Sequence, residues 1–417
     1  MKEYKVGSLF AGVGGICLGF QNAYTANSKY RLVWANEIDE YACTTYRHNF
    51  SHSLIEGDIK KVLHPELIDY EIEEVKKRLE MSNESDKKKK CEFLIQLQYN
   101  RNEQFDKYSK LHQQILSEPI DILTGGFPCQ AFSIAGEQKG FVDERGNLFL
   151  YIIDLIEQLG TKFEKPKILF LENVKNLQAH DKGRTYKVIK RKLEECGYTI
   201  FEKVLNTMDY SDLPQNRERI YIIGFLFPED ARNYSTFDPE ILSNLRRIKT
   251  PKDRANDVKE IINYNINKIT SEKYYYYKEK YPHYFISPEE FKTSDKETRI
   301  NLNEQIKEMY QFYQCRRGMY VRKNKSNVCP TLTANMGTGG HNVPLIKVND
   351  GIRKLTPTET FRLQGFPVDN GYILPTKHKG RAYPDGQLYK QAGNAVSVPI
   401  ITLLATEILK TLEYSKR

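Results

Sequence analysis

The sequence predicts an α/β protein with a mostly parallel sheet in its first half and a smaller, irregular second domain. Three observations lead to this prediction. Short apolar runs alternate with amphipathic stretches up to residue 227, and a glycine-rich turn follows the first run. Beyond Pro228 the sequence becomes polar and rich in tyrosine, without a sustained period. Alternating strands and helices form parallel sheets that helices cover on both faces, so the first half should hold the larger core.

The apolar runs set the expected elements. Leu148–Leu159 and Thr185–Cys196 have the period of helices, and so does Ile400–Leu412, which we expect to pack back onto the first domain. Six shorter runs are expected to form strands: Tyr4–Phe10, Leu32–Asn36, Ile120–Thr124, Ile168–Leu171, Tyr198–Leu205 and Ile220–Phe225. The predicted division is a first domain at 1–227, a second at 228–385, and a returning segment at 386–417.

One segment interrupts the first domain. Residues 60–118 contain 12 basic and 12 acidic side chains, no glycine, and the lysine run Lys87–Lys90. We expect a helical insertion at the periphery whose lysines are solvated.

Composition excludes several classes of protein. The 417 residues include seven cysteines that are scattered and never in C-x-x-C spacing, so a disulfide scaffold, structural zinc or other metal site is not expected. No charged-then-apolar leader and no run of about 18 apolar residues is evident, which predicts a cytoplasmic protein without a membrane span.

Charge is distributed unevenly. Residues 228–417 carry a formal net charge of +10 and residues 1–227 carry −1, within a total of +9. Such a basic half is typical of binding to a polyanion such as nucleic acid, and equally of an ordinary solvated surface. Single tyrosines such as those of Tyr274–Tyr277 have two possible roles, packing in a small core and contact with nucleic acid. We expect packing.

The turn after the first strand indicates a nucleotide-like ligand. Gly12 and Gly14 let the backbone approach a ligand at the edge of the sheet, but the dinucleotide fingerprint needs a third glycine where Cys17 stands. This disfavours NAD and favours a smaller nucleoside. Glu37 follows the second strand, where a carboxylate can bind ribose hydroxyls, and Asp58 follows the third, where it can accept from an adenine amine. Alternatively, each carboxylate caps a turn or helix.

A second set of residues indicates chemistry. Cys129 follows the strand Ile120–Thr124 in a Gly-Gly-Phe-Pro-Cys loop, a place suited to a nucleophile, although buried structural cysteines are common. Glu172 lies at the end of the next strand, and Arg217 and Arg219 precede another. The alternative for these three residues is a structural ion pair.

Taken together, these blocks resemble the cytosine-C5 DNA methyltransferases over nearly the whole chain. The blocks occur in the family order: Phe10-Ala11-Gly12-Val13-Gly14-Gly15, Pro128-Cys129-Gln130, Glu172-Asn173-Val174, Gln215-Asn216-Arg217-Glu218-Arg219, Arg353-Lys354-Leu355-Thr356-Pro357 through Arg362-Leu363-Gln364-Gly365-Phe366-Pro367, and Gly393-Asn394-Ala395-Val396. The resemblance implies a Rossmann-like S-adenosylmethionine-dependent methyltransferase domain and a second domain that recognises the target.

The resemblance also implies a mechanism. The Cys129 thiolate adds to C6 of cytosine, which makes C5 reactive enough to attack the methyl group of S-adenosylmethionine. A base then removes the C5 proton and the thiolate leaves C6, so that 5-methylcytosine remains. Glu172 donates to N3, Arg217 stabilises O2, and Arg219 supports the loop. Because a stacked base is out of reach, the cytosine must be flipped out of the duplex.

Further residues take their expected roles from the resemblance. Those expected around the cofactor are Phe10, Ala11, Gly12, Gly14, Glu37, Ile38, Asp58, Ile59, Pro128, Leu148, Asn394 and Ala395. Ile38 stands where many relatives have an aromatic residue, and Ala135 where some have a serine. Those expected at the DNA are Gln130, Ser133, Thr331, Leu332, Thr338, Gly339 and Gly340, the last three in a candidate base-reading loop that a plain glycine turn would equally explain.

The expected partners are duplex DNA and a cognate restriction endonuclease that acts on the same site, and the enzyme is expected to be a monomer. Three alternatives differ in testable ways. A tRNA cytosine-C5 methyltransferase would keep the chemistry but change the polymer. A catalytically silent DNA-binding protein would not need Cys129, Glu172 and Arg217. A nicotinamide oxidoreductase would need a glycine at the position that Cys17 occupies.

Overall fold

A seven-stranded sheet organises the first half of the chain. The computed structural model describes residues 1–80, 84–127, 148–266, 269, 271–287, 289–290, 300–316, 320–324, 326–336 and 343–415. The sheet has the order β3-β2-β1-β4-β5-β7-β6, in which the first five strands are parallel and β7 runs antiparallel to both β5 and β6. Its strands are β1 Lys2–Leu9, β2 Ser28–Glu37, β3 Ser53–Glu56, β4 Ile122–Gly126, β5 Ile168–Val174, β6 Thr199–Asn206 and β7 Glu218–Phe225.

Helices cover both faces of this sheet, as the alternating pattern predicts. One core, beneath the first face, contains Trp34, Phe149 and Leu155, and the other contains Phe20, Phe170 and Leu404. The helices of the first 227 residues outside the insertion are α1 Gly15–Asn22, α2 Glu40–Arg47, α3 Ile59–Leu63, α7 Leu148–Lys162, α8 Arg184–Glu195 and α9 Thr207–Tyr210, with 3-10 turns at Lys175–Gln178 and His180–Gly183. All six strands and both helices expected in this half are therefore confirmed, with boundaries shifted by a few residues.

The charged insertion is helical, as predicted. It contains α4 Leu67–Glu80, α5 Glu84–Tyr99 and α6 Arg101–Ile115. Ile68, Ile72, Tyr108 and Ile115 from α4 and α6 join the core beneath the sheet, so these two helices belong to the packed structure of the domain.

The second region contains a sheet that its polar sequence did not predict. The sheet is antiparallel and has five strands in the order β10-β9-β11-β12-β8. The strands are β8 Tyr275–Tyr276, β9 Tyr313–Arg316, β10 Tyr320–Lys323, β11 Leu345–Val348 and β12 Gly351–Lys354, and a hairpin follows at β13 Lys377–His378 and β14 Arg381–Ala382. These strands are too short to show a period in the sequence.

Helices and 3-10 turns complete this region. They are α10 Pro228–Asn233, α11 Pro239–Leu245, α12 Pro251–Ile261, α13 Leu302–Gln305 and α14 Pro357–Arg362, with 3-10 turns at Glu272–Tyr274 and Pro282–Tyr284. Ala231, Tyr234 and Leu242, beyond the expected boundary at residue 228, pack into the core of the first domain. Tyr275 is 2% exposed, and Tyr276 packs on a neighbouring cluster, so these tyrosines have the packing role expected of them.

A buried ion pair fixes the start of α14. Arg353 and Glu359 are fully buried, and the guanidinium donates to both carboxylate oxygens at 2.8 and 2.7 Å. Glu359 also accepts from the Thr356 amide, and the Thr356 hydroxyl accepts from the Glu359 amide. This capping box sets the direction in which the chain leaves the second sheet.

The chain ends with two helices, α15 Asp385–Asn394 and α16 Val398–Tyr414. The second packs between α1 and α10 and contributes Ile401 and Leu404 to the core, which confirms the expected return of this segment. Length and hydropathy alone would let the stretch Asp385–Tyr414 cross a membrane, a feature that the sequence prediction had missed. However, 67% of its apolar window is buried in the protein, as in a core helix.

Candidate active site

The glycine-rich turn forms one wall of a cavity at the carboxyl edge of the sheet. Gly12 and Gly14 have left-handed φ angles of 56° and 83°. At Gly14 a Cβ atom would lie 2.2 Å from the Phe50 ring, so both backbone conformation and space require glycine there. Because β1 is flanked by β2 and β4, this edge is the point where the strand order reverses, which is where open α/β sheets bind ligands.

Glu37 is held rigidly beside this turn. Its side-chain oxygens accept from the amides of Gly12 at 2.7 Å, Ile38 at 2.9 Å and Asp39 at 2.8 Å. Burial raises the pKa of Glu37, and these three hydrogen bonds oppose the shift. A carboxylate offers about four acceptor positions, so the oriented group can still accept from a ligand hydroxyl.

The cavity has a volume of about 390 Å³. It extends from the glycine-rich turn and Glu37 to Glu172 and Arg219, which lie at what we call the reacting edge. Of the residues predicted from the sequence, it brings together Phe10, Ala11, Gly12, Glu37, Ile38, Leu148, Glu172, Arg217, Arg219, Asn394 and Ala395. These residues come from six separated parts of the chain. Ile38 is 64% exposed, so its side chain is available to a ligand in the cavity.

Other predicted residues lie elsewhere. Asp58 caps α3 by accepting from the Lys60 amide at 3.1 Å, and Ile59 is buried in the core. Neither residue lines the cavity in the described part of the chain, and Gly14 does not line it either. For Asp58 the structure shows the helix cap that was the alternative interpretation, and its contact with a cofactor stays a prediction.

The reacting edge is built by two paired strands. Glu172 lies on β5 and Arg219 on β7, and their side chains form an ion pair with a distance of 3.0 Å between Nε and Oε1. Burial raises the pKa of Glu172, while the two arginines oppose that shift. A carboxyl with a raised pKa can hold a proton nearer neutral pH, as an acid that donates to a base ring must.

Arg217 has a different environment. It is 2% exposed, and its guanidinium donates to the carbonyl oxygens of Leu332 at 3.0 Å, Gly393 at 3.1 Å and Ala395. Burial lowers the pKa of Arg217 to about 9, which leaves it charged at neutral pH. Arg217 thus joins β7 to the second region and to the C-terminal helices.

Two of the predicted DNA-binding residues lie at this junction. The Thr331 hydroxyl donates to the Asn216 carbonyl at 2.6 Å, and Leu332 is 1% exposed. The remaining predicted residues, Pro128, Cys129, Gln130, Ser133, Thr338, Gly339 and Gly340, lie outside the described residues. Phe127 and Leu148, which flank the segment that carries Cys129, both line the cavity.

Three residues that line the cavity were not predicted as site residues from the sequence. The Asn173 side chain donates to the Phe127 carbonyl at 2.7 Å and so joins β5 to the segment before Cys129. Asp39 and Lys390 form an ion pair at 2.6 Å, and both residues line the cavity. Asn173 was within a recognised block, but no sequence pattern connects Asp39 with a lysine 351 residues away.

Comparison with known proteins agrees with this geometry. A model of the family "C-5 cytosine-specific DNA methylase" matches residues 4–75 and 66–410. The type II methyltransferase M.Bsp6I of Bacillus sp. (strain RFL6) is 39% identical over 409 residues, which cover 98% of this chain and 99% of the relative. M.HhaI of Haemophilus parahaemolyticus is 29% identical over 416 residues, which cover 97% and 94%.

Solved structures show the same fold. The Dnmt2 methyltransferase of S. pombe superposes with a TM-score of 0.55 at 14% identity, covering 99% of both chains. A prophage-encoded DNA modification methyltransferase (E. coli) gives a TM-score of 0.55 at 17% identity, covering 98% of this chain and 99% of the other. The tRNA alternative is not favoured, because the matching family and the curated relatives are DNA methyltransferases. The chain belongs to the C-5 cytosine-specific DNA methylase family, whose activity is methylation of cytosine C5 in DNA.

Proposed function

We propose that this protein transfers a methyl group from S-adenosylmethionine to C5 of a cytosine flipped out of a short specific site in duplex DNA. The observation that carries the proposal is one cavity that joins the Glu37 carboxylate at one end to the Glu172–Arg219 pair at the other. Such a cavity suits a nucleoside ligand beside a base that must be protonated and charge-stabilised.

The residues at the first end fit the cofactor. Glu37 lines the cavity with its carboxylate fixed by three amides, ready to accept from ribose hydroxyls. Phe10, Ile38 and Leu148 give apolar surface around an adenine ring. When bound, S-adenosylmethionine supplies the methyl group as an electrophile.

At the other end we assign the base chemistry. Cys129 is the nucleophile at C6, supported by its sequence block and by the two flanking residues that line the cavity. Glu172 holds the proton that is given to N3. Arg219, paired with Glu172, is better placed than Arg217 to act at the base, because the terminal nitrogens of Arg217 are bonded to backbone carbonyls. Arg217 then positions the site.

The basic residues of 228–417 are assigned to the DNA phosphates. The enzyme acts on duplex DNA as a monomer. Its partner is a restriction endonuclease that recognises the same site. The relatives are named type II methyltransferases, which supports that partner. Sedimentation with and without DNA tests the monomer. Cleavage of host DNA by candidate endonucleases, before and after the methyltransferase is expressed, tests the shared site.

Tritiated methyl transfer to duplex DNA and to tRNA tests the activity. We expect incorporation into DNA, and a covalent complex with DNA that carries 5-fluorocytosine. Incorporation into tRNA alone would overturn the choice of polymer.

Cys129→Ser tests the nucleophile. The hydroxyl is a far weaker nucleophile than a thiolate, so methyl transfer should be lost while specific DNA binding in a mobility-shift assay is largely kept. Cys91→Ser, at an exposed cysteine of the insertion, is the control. Normal turnover by Cys129→Ser would contradict the mechanism.

A further inference from the structure

A second groove lies directly beside the cofactor cavity. It has a volume of about 370 Å³ and is lined by Asn216, Gln314, Arg322 and Thr331, among others. Asn216 belongs to the groove and Arg217, the next residue, to the cavity. The two spaces therefore lie on either side of the same short segment of backbone.

Gln314 presents an unused amide to this groove. Its side chain belongs to a residue that is 7% exposed, and it makes no hydrogen bond with any residue that the structure describes. Because its amide lines the groove and is not engaged by the described protein, it is available to hydrogen-bond a ligand there. An amide can donate to one atom of a base edge and accept from another.

Arg322 lies directly opposite Gln314 in the β9–β10 ladder, so the two side chains share one face. Arg322 is exposed and has no ion pair among the described residues, whereas the next residue, Lys323, is held by Glu308 at 2.5 Å. A free guanidinium is the group that most often recognises guanine, through its O6 and N7 atoms.

The strands themselves suit entry into DNA. β10 is the edge strand of the second sheet, and it forms a two-stranded antiparallel ribbon with β9. The major groove of B-DNA admits a ribbon of this width. The opposite wall of the groove is fixed to the reacting edge, since Thr331 donates to the Asn216 carbonyl.

We propose that Arg322 and Gln314 read base edges in the major groove within a few base pairs of the target cytosine, with Arg322 selecting a guanine and Gln314 hydrogen-bonding a neighbouring base. This inference rests on the proposed function and deepens it. It locates specificity in the β9–β10 ribbon, in addition to the glycine-rich loop expected from the sequence.

The test begins with bisulfite sequencing of DNA from a host that expresses the unaltered protein, which defines the site. Single-turnover methylation is then measured on that site and on a set of duplexes in which each flanking base pair is replaced in turn. The variants are Arg322→Gln, Arg322→Ala and Gln314→Ala, with Lys323→Ala as the matched control from the same strand.

For both Arg322 variants we expect discrimination against replacement of one guanine to fall by between about fivefold and a hundredfold, while discrimination at the other positions is retained. Gln314→Ala should relax an adjacent position, and Lys323→Ala should relax none. Thermal unfolding and cofactor binding verify that each variant is folded. If Gln314→Ala fails to fold, the two variants of exposed Arg322 still decide the outcome.

An equal loss of rate on every duplex, with discrimination unchanged, would overturn the inference and leave Arg322 as a phosphate contact or a structural residue. That result differs from failure of the proposed function, in which the unaltered protein would methylate no duplex at all.

Discussion

Glu172 is subject to two opposing effects. Burial disfavours its charged form, whereas Arg219 at 3.0 Å favours that form, and the net result is a raised pKa. The carboxyl is therefore protonated over a wider pH range than an exposed glutamate, while a positive charge remains beside it. A single side chain can thus supply a proton to a base without leaving the developing negative charge unmatched.

This state of Glu172 predicts the pH dependence of the reaction. Only the protonated carboxyl can donate to N3, so the single-turnover rate at saturating DNA and cofactor should fall as pH rises through the raised pKa. Glu172→Gln retains size but does not titrate. We expect it to lower the rate by about 10²- to 10⁴-fold and to remove the alkaline fall.

The control for this measurement is Glu202→Gln. Glu202 lies on β6, is paired with Lys190, and does not line the cavity. Its pH profile should match that of the unaltered protein. An alkaline fall that persists unchanged in Glu172→Gln would show that another group is responsible.

At the scale of elements, three separated segments meet at one seam. Arg217, at the residue before β7, donates to carbonyls of the Leu332 segment and of the end of α15. The second region is therefore attached to the catalytic edge by backbone acceptors that a single guanidinium satisfies. This attachment holds the Leu332 segment of the second region beside the cavity.

Arg217→Lys should weaken the seam. A lysine ammonium cannot reproduce the planar fork, so at least one buried carbonyl loses its donor, at a cost of about 1–3 kcal/mol each. We expect the free energy of unfolding in urea to fall by about 2–4 kcal/mol, and specific DNA binding to weaken with it. Arg184→Lys, an exposed arginine paired with Asp181, should change neither measurement. An Arg217→Lys protein with an unchanged free energy of unfolding and unchanged DNA binding would contradict this role of Arg217.

Adding a side-chain carbon at Gly393 tests how closely the segments approach at this seam. A Cβ atom there would lie 2.2 Å from the Thr333 carbonyl carbon, so α15 and the Thr333 segment must separate. Gly393→Ala should lower the free energy of unfolding by about 3 kcal/mol or more.

Gly386→Ala, in the same helix, has no atom within 4 Å of the added carbon and should stabilise the protein by up to about 1 kcal/mol. Equal effects of the two substitutions, measured by urea unfolding, would refute the close approach at Gly393.

Across the whole molecule, charge and chemistry are separated. Residues 1–227 contain most of the residues that line the cavity and carry −1, and residues 228–417 carry +10. We therefore expect the basic half to dominate the electrostatic part of association with DNA, and cofactor binding to depend mainly on the near-neutral half.

Salt should distinguish the two halves. Release of counterions from DNA makes affinity fall steeply with ionic strength, so the Kd for a cognate duplex should rise at least about tenfold between 50 and 200 mM salt. Calorimetric affinity for S-adenosylmethionine should change less than about twofold over this range. Parallel losses in both affinities would contradict the separation, and so would DNA binding that salt leaves unchanged.

The amino-acid sequence by itself determined the elements of the first domain and the identity of the family. Apolar runs such as Ile168–Leu171 predict buried strands because a parallel sheet is covered on both faces, and motif blocks such as Glu172-Asn173-Val174 lie at strand ends. Apolar runs and motif blocks are local properties, because each can be recognised within about ten consecutive residues. The second sheet escaped prediction because strands of two to four residues have no measurable period.

Only the tertiary structure decided how the two arginines differ. Both precede or begin the same strand, yet Arg217 is bonded to carbonyls more than 100 residues away and Arg219 is paired with Glu172. It also decided that Asp58 caps a helix and that Gln314 and Arg322 share a groove beside the catalytic edge. Burial, hydrogen-bond partners and pKa values arise from contacts between distant segments, and those contacts exist only once the chain has folded.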